Sequence, residues 1–274
     1  MSDILEAIIL GCGSSGGVPR LGGRGNAGDW GACDPHNPKN RRTRCSMLAR
    51  RKSSKGETAV LVDTSPDMRQ QLLDAQCAAL DSVLITHDHA DQVNGLDDLR
   101  MVAMHIRRRV DVHTDAHAID GLMARFGYCF VQREGSSYPA ICNLHEIHEP
   151  FAPFAIEGAG GSLPVLAFGQ THGSIRSLGF RFGPLAYSSD VNGLDDAAFA
   201  ALEGVDCWIV DTLRYTEHPS HAHLAMALGW IERLKPRRAI LTNLHVDLDY
   251  EKLKRELPPG VEPAYDGMRI ELPL

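Results

Sequence analysis

The sequence lacks a long apolar run and an excess of basic residues. Its first residues, MSDILEAIILGCG, carry acids where a signal peptide has a basic region, and their apolar run is too short to cross a membrane. The formal net charge of -7 disfavours a protein whose main role is to grip a nucleic-acid backbone. These absences predict a cytoplasmic protein with no membrane partner, and they make nucleic acid a poor candidate partner.

Clustered cysteines are also lacking. Seven cysteines occur without a repeated short spacing, at Cys12, Cys33, Cys45, Cys77, Cys129, Cys142 and Cys207. This odd, scattered set does not match a disulfide framework or a zinc knuckle, and it is typical of reduced thiols in a cytoplasm. Aromatic residues make up only 6% of the chain, but the 43% of hydrophobic residues suffice for a sizeable core. With no visible linker or repeat, we expect one domain over residues 1–274.

A Gly-x-Gly-x-x-Gly pattern occurs at Gly11, Gly13 and Gly16, but the other features of a dinucleotide site are missing. In such a site the third glycine opens a helix whose N-terminus holds the pyrophosphate. Here the residues that follow, GVPRLGGRGNAGDWGACDPHNPKN, are too rich in glycine, proline and asparagine for a helix. No Gly-Lys-Ser/Thr follows either, which excludes the loop that binds nucleoside triphosphates.

Residues 82–92, SVLITHDHADQ, place two histidines and an aspartate between a predicted strand and a predicted helix. SVLIT is rich in β-forming residues, and the apolar residues of QVNGLDDLRMVAMHI recur at helical spacing. Beyond the strand the chain need not alternate faces, so His87, His89 and Asp91 can turn toward one point. Imidazole and carboxylate ligands are typical of zinc, manganese or iron sites with room for water. A helix start capped by Asp91 would explain the aspartate but not the paired histidines.

THDHADQ resembles the Thr-His-x-His-x-Asp-His motif of the metallo-β-lactamase superfamily, with Gln92 in place of the last histidine. The resemblance implies an α/β fold of the α+β type, a four-layer αββα sandwich with metal ions at the rim between two sheets. It also implies that the glycine loop after the first strand lies near that rim, where absent side chains let the backbone approach a ligand. Asp63, after the strand AVLVD, is then an acid close to the site.

Later strand ends offer the remaining ligands that the resemblance implies. His172 lies in a turn after VLAFGQ, Asp190 ends LAYSSD, and His245 follows RAILTN. Asn243 is the alternative to His245, because some relatives have a histidine there in a Leu-Thr-His run; we prefer His245 as the better donor. The resemblance thus assigns His87, His89 and His172 to a first metal ion and Asp91, Gln92 and His245 to a second, with Asp190 shared by both.

Gln92 weakens the expected second metal site. An amide is a poorer donor than a neutral imidazole, so this site should bind its ion more loosely or prefer a harder ion such as manganese. The expected cofactors are therefore two divalent ions, zinc or manganese, with the second site weak. Substrate could supply a further ligand to that second ion.

Similarity through DWGACDPHNPKNRRTRCS and AVLVDTSPDMRQQLL extends to the branch that contains the phosphoribosyl cyclic phosphate phosphodiesterase of phosphonate breakdown. The nucleases that process tRNA 3′ ends and the coenzyme-PQQ biosynthesis B protein are wider relatives. In the phosphodiesterases, clustered cysteines and a late histidine bind a structural zinc. This chain offers only Cys33 there, with Cys45 far along, so we predict no structural zinc.

The catalytic residues implied by this branch lie in RYTEHPSHAHL. An alkoxide leaving group needs a proton, and we expect His221 to be the general acid, with His218 as the second candidate. Asp91 is predicted to be both a catalytic residue and a metal ligand. A histidine-rich helix cap is the structural alternative. The first long loop carries arginines that are candidates for phosphate contacts, with a solvated loop as the alternative for each: Arg20, Arg24, Arg41, Arg42 and Arg44. Scattered aromatic residues are candidates for the walls of a pocket, with core packing as the alternative for each: Phe126, Tyr128, Tyr138 and Phe151.

Paired cations favour phosphodiester hydrolysis, because they stabilise the negative charge that spreads over the phosphoryl oxygens. The leading hypothesis is a metal-dependent phosphodiesterase that acts on a small cyclic or nucleotide-like phosphate ester. A tRNA-processing nuclease would need a basic arm, and no glycine- and lysine-rich insertion is present. Two more hypotheses are a thioester or lactone hydrolase and a degenerate ligand-binding module that has lost the second metal. The oligomeric state is left open, and a homodimer is one candidate.

Overall fold

The computed structural model describes residues 3–149 and 151–274, and within them fourteen strands form two sheets. In chain order these strands are β1 Ile4–Gly11, β2 Ser46–Ser53, β3 Gly56–Val62, β4 Ser82–Leu84, β5 Val110–Thr114, β6 Cys142–Glu146, β7 Phe154–Ile156, β8 Leu163–His172, β9 Ile175–Phe182, β10 Leu185–Ser188, β11 Cys207–Asp211, β12 Arg238–Thr242, β13 Val261–Pro263 and β14 Met268–Pro273.

Seven α-helices connect the strands in the described part of the chain: α1 Met68–Asp74, α2 Ala90–Val93, α3 Leu99–Ile106, α4 Ala116–Phe130, α5 Asp196–Leu202, α6 Leu224–Leu234 and α7 Tyr250–Glu256. Short 3-10 turns occupy Arg24–Asn26, Pro38–Asn40 and Leu96–Asp98. None of the helices in these residues is both long enough and apolar enough to span a membrane.

Each sheet has seven strands. The order is β14-β1-β2-β3-β4-β5-β6 in one and β13-β12-β11-β10-β9-β8-β7 in the other. Strands β3 to β6 pair in parallel in the first sheet, and strands β10 to β13 do so in the second. Parallel strands lie between covering layers, which explains why β11 is buried along its whole length and β12 along all but its first residue.

The chain forms two compact units. The first contains residues up to Ile8, Ser46–Ala167 and Arg269–Leu274, and the second contains Ile9–Cys45 and Phe168–Met268. In the second unit, fully buried Trp208 donates from Nε1 to Ser188 Oγ at 3.0 Å, so the indole is buried without losing its hydrogen bond. The single domain expected from the sequence stays a prediction.

Polar residues end the parallel strands in a strained backbone conformation. Asp63 follows β3, Asp190 lies just after β10, and Asn243 follows β12; their φ angles are 63°, 53° and 62°. Only aspartate, asparagine and glycine adopt this left-handed region with ease. Since such strain concentrates at functional sites, each of the three residues is a candidate functional residue within its own unit.

The glycine loop is explained by packing rather than by a ligand. A Cβ atom on Gly13 would lie 2.9 Å from the carbonyl oxygen of Thr43, which is the partner of the Gly13 amide at 2.8 Å. The neighbouring chain segment therefore requires glycine at position 13, and the approach of this loop to a ligand stays a prediction. The loop runs on to the 3-10 turn at Arg24–Asn26 without an α-helix, as the rejection of a dinucleotide site requires.

Arg42 is a correction to the expected set of phosphate-binding arginines. Its guanidinium is buried and donates to the carbonyl oxygen of Leu248 at 2.6 Å, to that of His245 at 3.2 Å and to Asn40 Oδ1 at 3.2 Å. Nη1 also lies 3.8 Å from Cys33 Sγ. Because its donors serve the protein itself, Arg42 ties the first loop to residues 245–248 and is not available to a substrate.

Candidate metal centre

In the first unit, the motif histidines follow β4 and are supported by a chain of hydrogen bonds. Thr86 donates from its amide to Asp63 Oδ1 at 2.8 Å, and its hydroxyl lies 3.0 Å from Asp63 Oδ2 and 3.0 Å from His87 Nδ1. Since the hydroxyl gives its proton to the carboxylate, it accepts from Nδ1 of the imidazole. This arrangement leaves the Nε2 lone pair of His87 for a metal ion.

His89 lies beside His87, with ring centroids 4.5 Å apart and ring planes at 73°. His87 is buried and His89 is exposed, so this pair spans the boundary between protein and solvent. Asp91 follows in the first turn of α2. The first unit thus brings the two imidazoles together, whereas no group of three or more metal-type side chains in the described residues includes Asp91.

Gln92 is fully buried, and its side chain turns to the neighbouring carboxylate: Nε2 lies 3.4 Å from Asp91 Oδ2. Its main-chain oxygen accepts from the amide of Thr64 at 2.8 Å. An NH₂ group cannot coordinate a metal ion, so in this orientation only the amide oxygen is a donor. The weaker second site expected from the sequence stays a prediction.

In the second unit, His172, Asp190 and His221 bring one ligand atom each within 4.8 Å of one another. The Nε2 atoms of His172 and His221 lie 3.9 and 3.8 Å from Asp190 Oδ1. His172 Nδ1 is 2.6 Å from the carbonyl oxygen of Ser220, which can only accept, so Nδ1 carries the proton. The Nε2 lone pair of His172 is then directed at Asp190.

Asp211 orients His221 in the same way. Its Oδ2 lies 2.8 Å from His221 Nδ1 and accepts from the amide of Val191 at 3.0 Å. Burial raises the pKa of the Asp211 carboxyl, and the imidazole of His221 opposes that rise. The amide nitrogen of Asn243 lies 3.1 Å from the same Nδ1 atom. An imidazole and a carboxylate that converge in this way are a donor set for a divalent ion of the zinc or manganese kind.

The other predicted site residues have different surroundings. His245 lies with Nδ1 3.0 Å from the carboxylate of Asp247, and no group of three or more metal-type side chains in the described residues includes it. His218 packs against His221 with ring centroids 5.1 Å apart, and burial together with the charge of His221 lowers its pKa. Asp211, which sequence reasoning did not single out, is the main addition; its signal was an acid at the end of the apolar strand CWIVD.

The pocket walls expected from the sequence stay a prediction, although two of those aromatic residues do line a cavity. Two of the scattered aromatic residues, Tyr128 and Tyr138, line a cavity of about 320 Å³ together with Arg100 and Arg133. Tyr138 is 74% exposed. The cavity lies within the first unit, at the C-terminal end of α4.

Comparison with known proteins gives a consistent family. Residues 58–243 match the model of the β-lactamase superfamily domain. An octanoyltransferase of Porphyromonas gingivalis is 32% identical over 267 residues, which is 96% of this chain and 51% of that protein, so the chain spans about half the length of this curated relative.

Solved structures extend the likeness over the whole chain. A diphosphatase from the PhnP family is 29% identical, with a TM-score of 0.85 over 99% of this chain and 98% of its own. The short form of human tRNase Z is 17% identical, with a TM-score of 0.65 over 98% of this chain and 100% of its own, and shares the fold. The fold class predicted from the motif at residues 86–92 is confirmed, as is the branch predicted from DWGACDPHNPKNRRTRCS and AVLVDTSPDMRQQLL.

Proposed function

Because the chain belongs to the metallo-β-lactamase superfamily, we propose that it is a metal-dependent phosphodiesterase that hydrolyses a small cyclic or nucleotide-like phosphate ester. Membership of the superfamily by itself implies a hydrolase that binds divalent metal ions, and the phosphodiester substrate is the further step that we propose. The observation that carries the proposal is the convergence of His172 Nε2 and His221 Nε2 on Asp190, which brings a candidate metal ligand, His172, and a candidate proton donor, His221, beside one carboxylate. Similarity to a PhnP-family diphosphatase favours phosphate chemistry over acyl-ester chemistry.

The metal ligands of this proposal are those of the family pattern, with the second site weak. His87, His89, His172 and Asp190 would hold a first zinc or manganese ion; Asp91, Gln92 and His245 would share Asp190 in holding a second. Such ions acidify a bound water and stabilise charge on phosphoryl oxygens. Asp63 and Thr86 contribute by fixing the tautomer of His87.

We assign the general acid to His221. The buried carboxylate of Asp211 at 2.8 Å stabilises the protonated imidazole, so His221 can carry a proton to the leaving alkoxide. His218 is less suited, because burial lowers its pKa and leaves less of the protonated form near neutral pH. Nε2 of His221, 3.8 Å from Asp190, is the atom that would give the proton.

Phosphate contacts in this proposal come from the loop that follows β1. Arg24 is exposed there and Arg20 is half-buried, and a guanidinium matches two phosphate oxygens at once. Arg42 takes no part, because its donors serve carbonyl oxygens of the protein. The net charge of -7 makes a small phosphate ester a better substrate than a long RNA.

One observation favours a second candidate, the hydrolysis of an acyl thioester. A curated relative that shares 32% identity with this chain is named an octanoyltransferase. The match covers 51% of that protein, so the activity in its name need not reside in the matched part. The metal centre proposed above could hydrolyse either a phosphodiester or a thioester, so the two candidate functions are distinguished by which substrate the protein turns over.

A substrate panel tests the proposal. The zinc- or manganese-supplied protein is assayed with bis-p-nitrophenyl phosphate, a 2′,3′-cyclic nucleotide, a lactone, an octanoyl thioester and a precursor tRNA. Turnover of the phosphodiesters that disappears in Asp190→Asn and survives in His105→Ala, an exposed histidine of α3, supports the proposal. Turnover of the thioester alone would replace it with the second candidate.

A further inference from the structure

Asp88, the middle residue of the His-x-His motif, is hydrogen-bonded by an arginine of helix α4. Asp88 separates His87 from His89, and Arg125 of α4 contacts it twice: Nη2 donates to the main-chain oxygen of Asp88 and, at 2.9 Å, to its Oδ2. Arg125 Nε also donates to the carbonyl oxygen of Gly121, one turn earlier in the helix, at 3.2 Å. The guanidinium therefore fixes both the backbone and the side chain of one residue.

Gly121 makes room for this contact. A Cβ atom at that position would lie 2.0 Å from Asp88 Oδ2 and 2.8 Å from Asp88 Cγ, so any side chain there would displace the carboxylate. Gly127, on the same helix, has open space, since its nearest neighbour is Met123 Cε at 4.0 Å. Glycine is unfavourable inside a helix, and the close packing of the Asp88 carboxylate explains why position 121 is glycine.

The contact between Arg125 and Asp88 lies in the middle of the proposed metal-binding segment, between His87 and His89. At one end of the segment, His87 is buried and its ring is held by Thr86. At the other end, His89 is exposed, and a fixed main-chain oxygen at Asp88 limits the directions in which its imidazole can project. Ligands that are held in place before the ion arrives lose less conformational freedom when they bind it.

We propose that Arg125 is a positioning residue: it holds Asp88 against Gly121 and thereby orients His89 for metal binding before the ion arrives. The proposal rests on the metal centre proposed above. Both partners of the ion pair are 37% exposed, and exposed pairs contribute little to stability. A purely structural role for Arg125 would therefore leave metal affinity unchanged, whereas positioning would not.

The test measures zinc affinity by competition with a chromophoric chelator, together with the melting temperature of the metal-free protein. Arg125→Ala and Gly121→Ala should each weaken zinc binding by roughly tenfold or more and leave the melting temperature close to that of the wild type. Arg125→Lys has one nitrogen in place of the two that Arg125 uses for Asp88 and Gly121, so its zinc affinity should fall between those of Arg125→Ala and the wild type. Gly127→Ala is the matched control and should bind zinc like the wild type.

A double variant separates the clash at Gly121 from a general effect on the helix. In an Asp88→Ala background the carboxylate is absent, so adding Gly121→Ala should weaken zinc binding no further. Wild-type affinity in both Arg125→Ala and Gly121→Ala would overturn the positioning role while leaving the metal centre intact. A wild-type protein that binds neither zinc nor manganese would overturn the proposed function and this proposal with it.

Discussion

Asp211 and His221 form a buried pair in which Oδ2 of the carboxylate lies 2.8 Å from Nδ1 of the imidazole. The carboxylate is fully buried, and its Oδ1 has no hydrogen-bond partner among the described residues. The other ring nitrogen of His221 faces Asp190. A buried carboxylate oxygen without a hydrogen bond lowers the free energy of unfolding. The presence of Asp211 at this position is therefore better explained by its effect on His221 than by a gain in stability.

Asp211→Asn should therefore impair the reaction more than the fold. The amide keeps the shape but no longer stabilises a protonated imidazole, and we expect kcat/KM for bis-p-nitrophenyl phosphate to fall by about 10²- to 10⁴-fold. The melting temperature should stay level or rise, because a neutral group replaces a buried charge. Steady-state kinetics with a thermal melt checks both, and full activity in the variant would remove His221 from the role of general acid.

Much of the fold was predictable from local pattern. The strand before His87 and the helical spacing after Gln92 correspond to β4, α2 and α3, and the motif at residues 86–92 identified the superfamily. Helix α4 was missed: residues 113–160 show weak periodicity, and Gly121 and Gly127 reduce helix propensity inside the helix. The packing of this helix against Asp88 overrides that local signal.

The site was predictable as a list of residues but not as an arrangement. His172 and Asp190 meet as the motif order suggests, and His221 joins them. Spacing alone did not show that His221, expected as a general acid, lies at ligand distance from Asp190, or that Asp211 supports it. Contacts between residues ten or more positions apart depend on the sheet order, which a single sequence does not give.

Gln92→His should strengthen the second metal site. A neutral imidazole is a better donor than an amide oxygen, so at a fixed excess of zinc we expect more metal per chain than in the wild type. Elemental analysis after gel filtration measures the ratio. Gln70→His, on the exposed face of α1, controls for adding a histidine anywhere, and equal metal content in the two variants would argue against a second site at Asp91 and Gln92.

Arg42→Met should destabilise the fold. The variant leaves the carbonyl oxygens of Leu248 and His245 without their donor in a buried setting, and a buried acceptor left unsatisfied costs about 1–3 kcal/mol. Urea unfolding gives the free energy of unfolding. Arg24→Met, at an exposed position of the same loop, should change it little; a similar small change in Arg42→Met would mean that the loop does not depend on this guanidinium.

Stability should fall in mild acid because of His113. Burial, with the charge of His145, lowers the pKa of His113 from 6.5 to about 4. The unfolded state therefore binds more protons between these values, so the free energy of unfolding is undiminished above about pH 6.5 and declines as the pH falls toward about 4. The ring stacks on His145 and Phe154 at 4.6 and 5.5 Å. Urea midpoints across this range should decline less in His113→Phe, which keeps the stacking, than in wild type.

His117→Ala is the control for that titration, because His117 is exposed at the start of α4. Its pH dependence should match that of the wild type. If His113→Phe loses stability in acid as steeply as the wild type does, His113 is not the group that senses the pH.

The central claim, a metal centre that hydrolyses a phosphodiester, is tested most directly by metal stoichiometry measured beside turnover. The wild type and Asp190→Ala are each supplied with zinc or manganese, analysed for metal, and assayed with bis-p-nitrophenyl phosphate. We predict bound metal and turnover in the wild type, with a second ion held more weakly than the first, and loss of both metal and activity in Asp190→Ala. A wild type without metal or hydrolysis under either ion, or an Asp190→Ala variant that keeps full activity, would contradict the account.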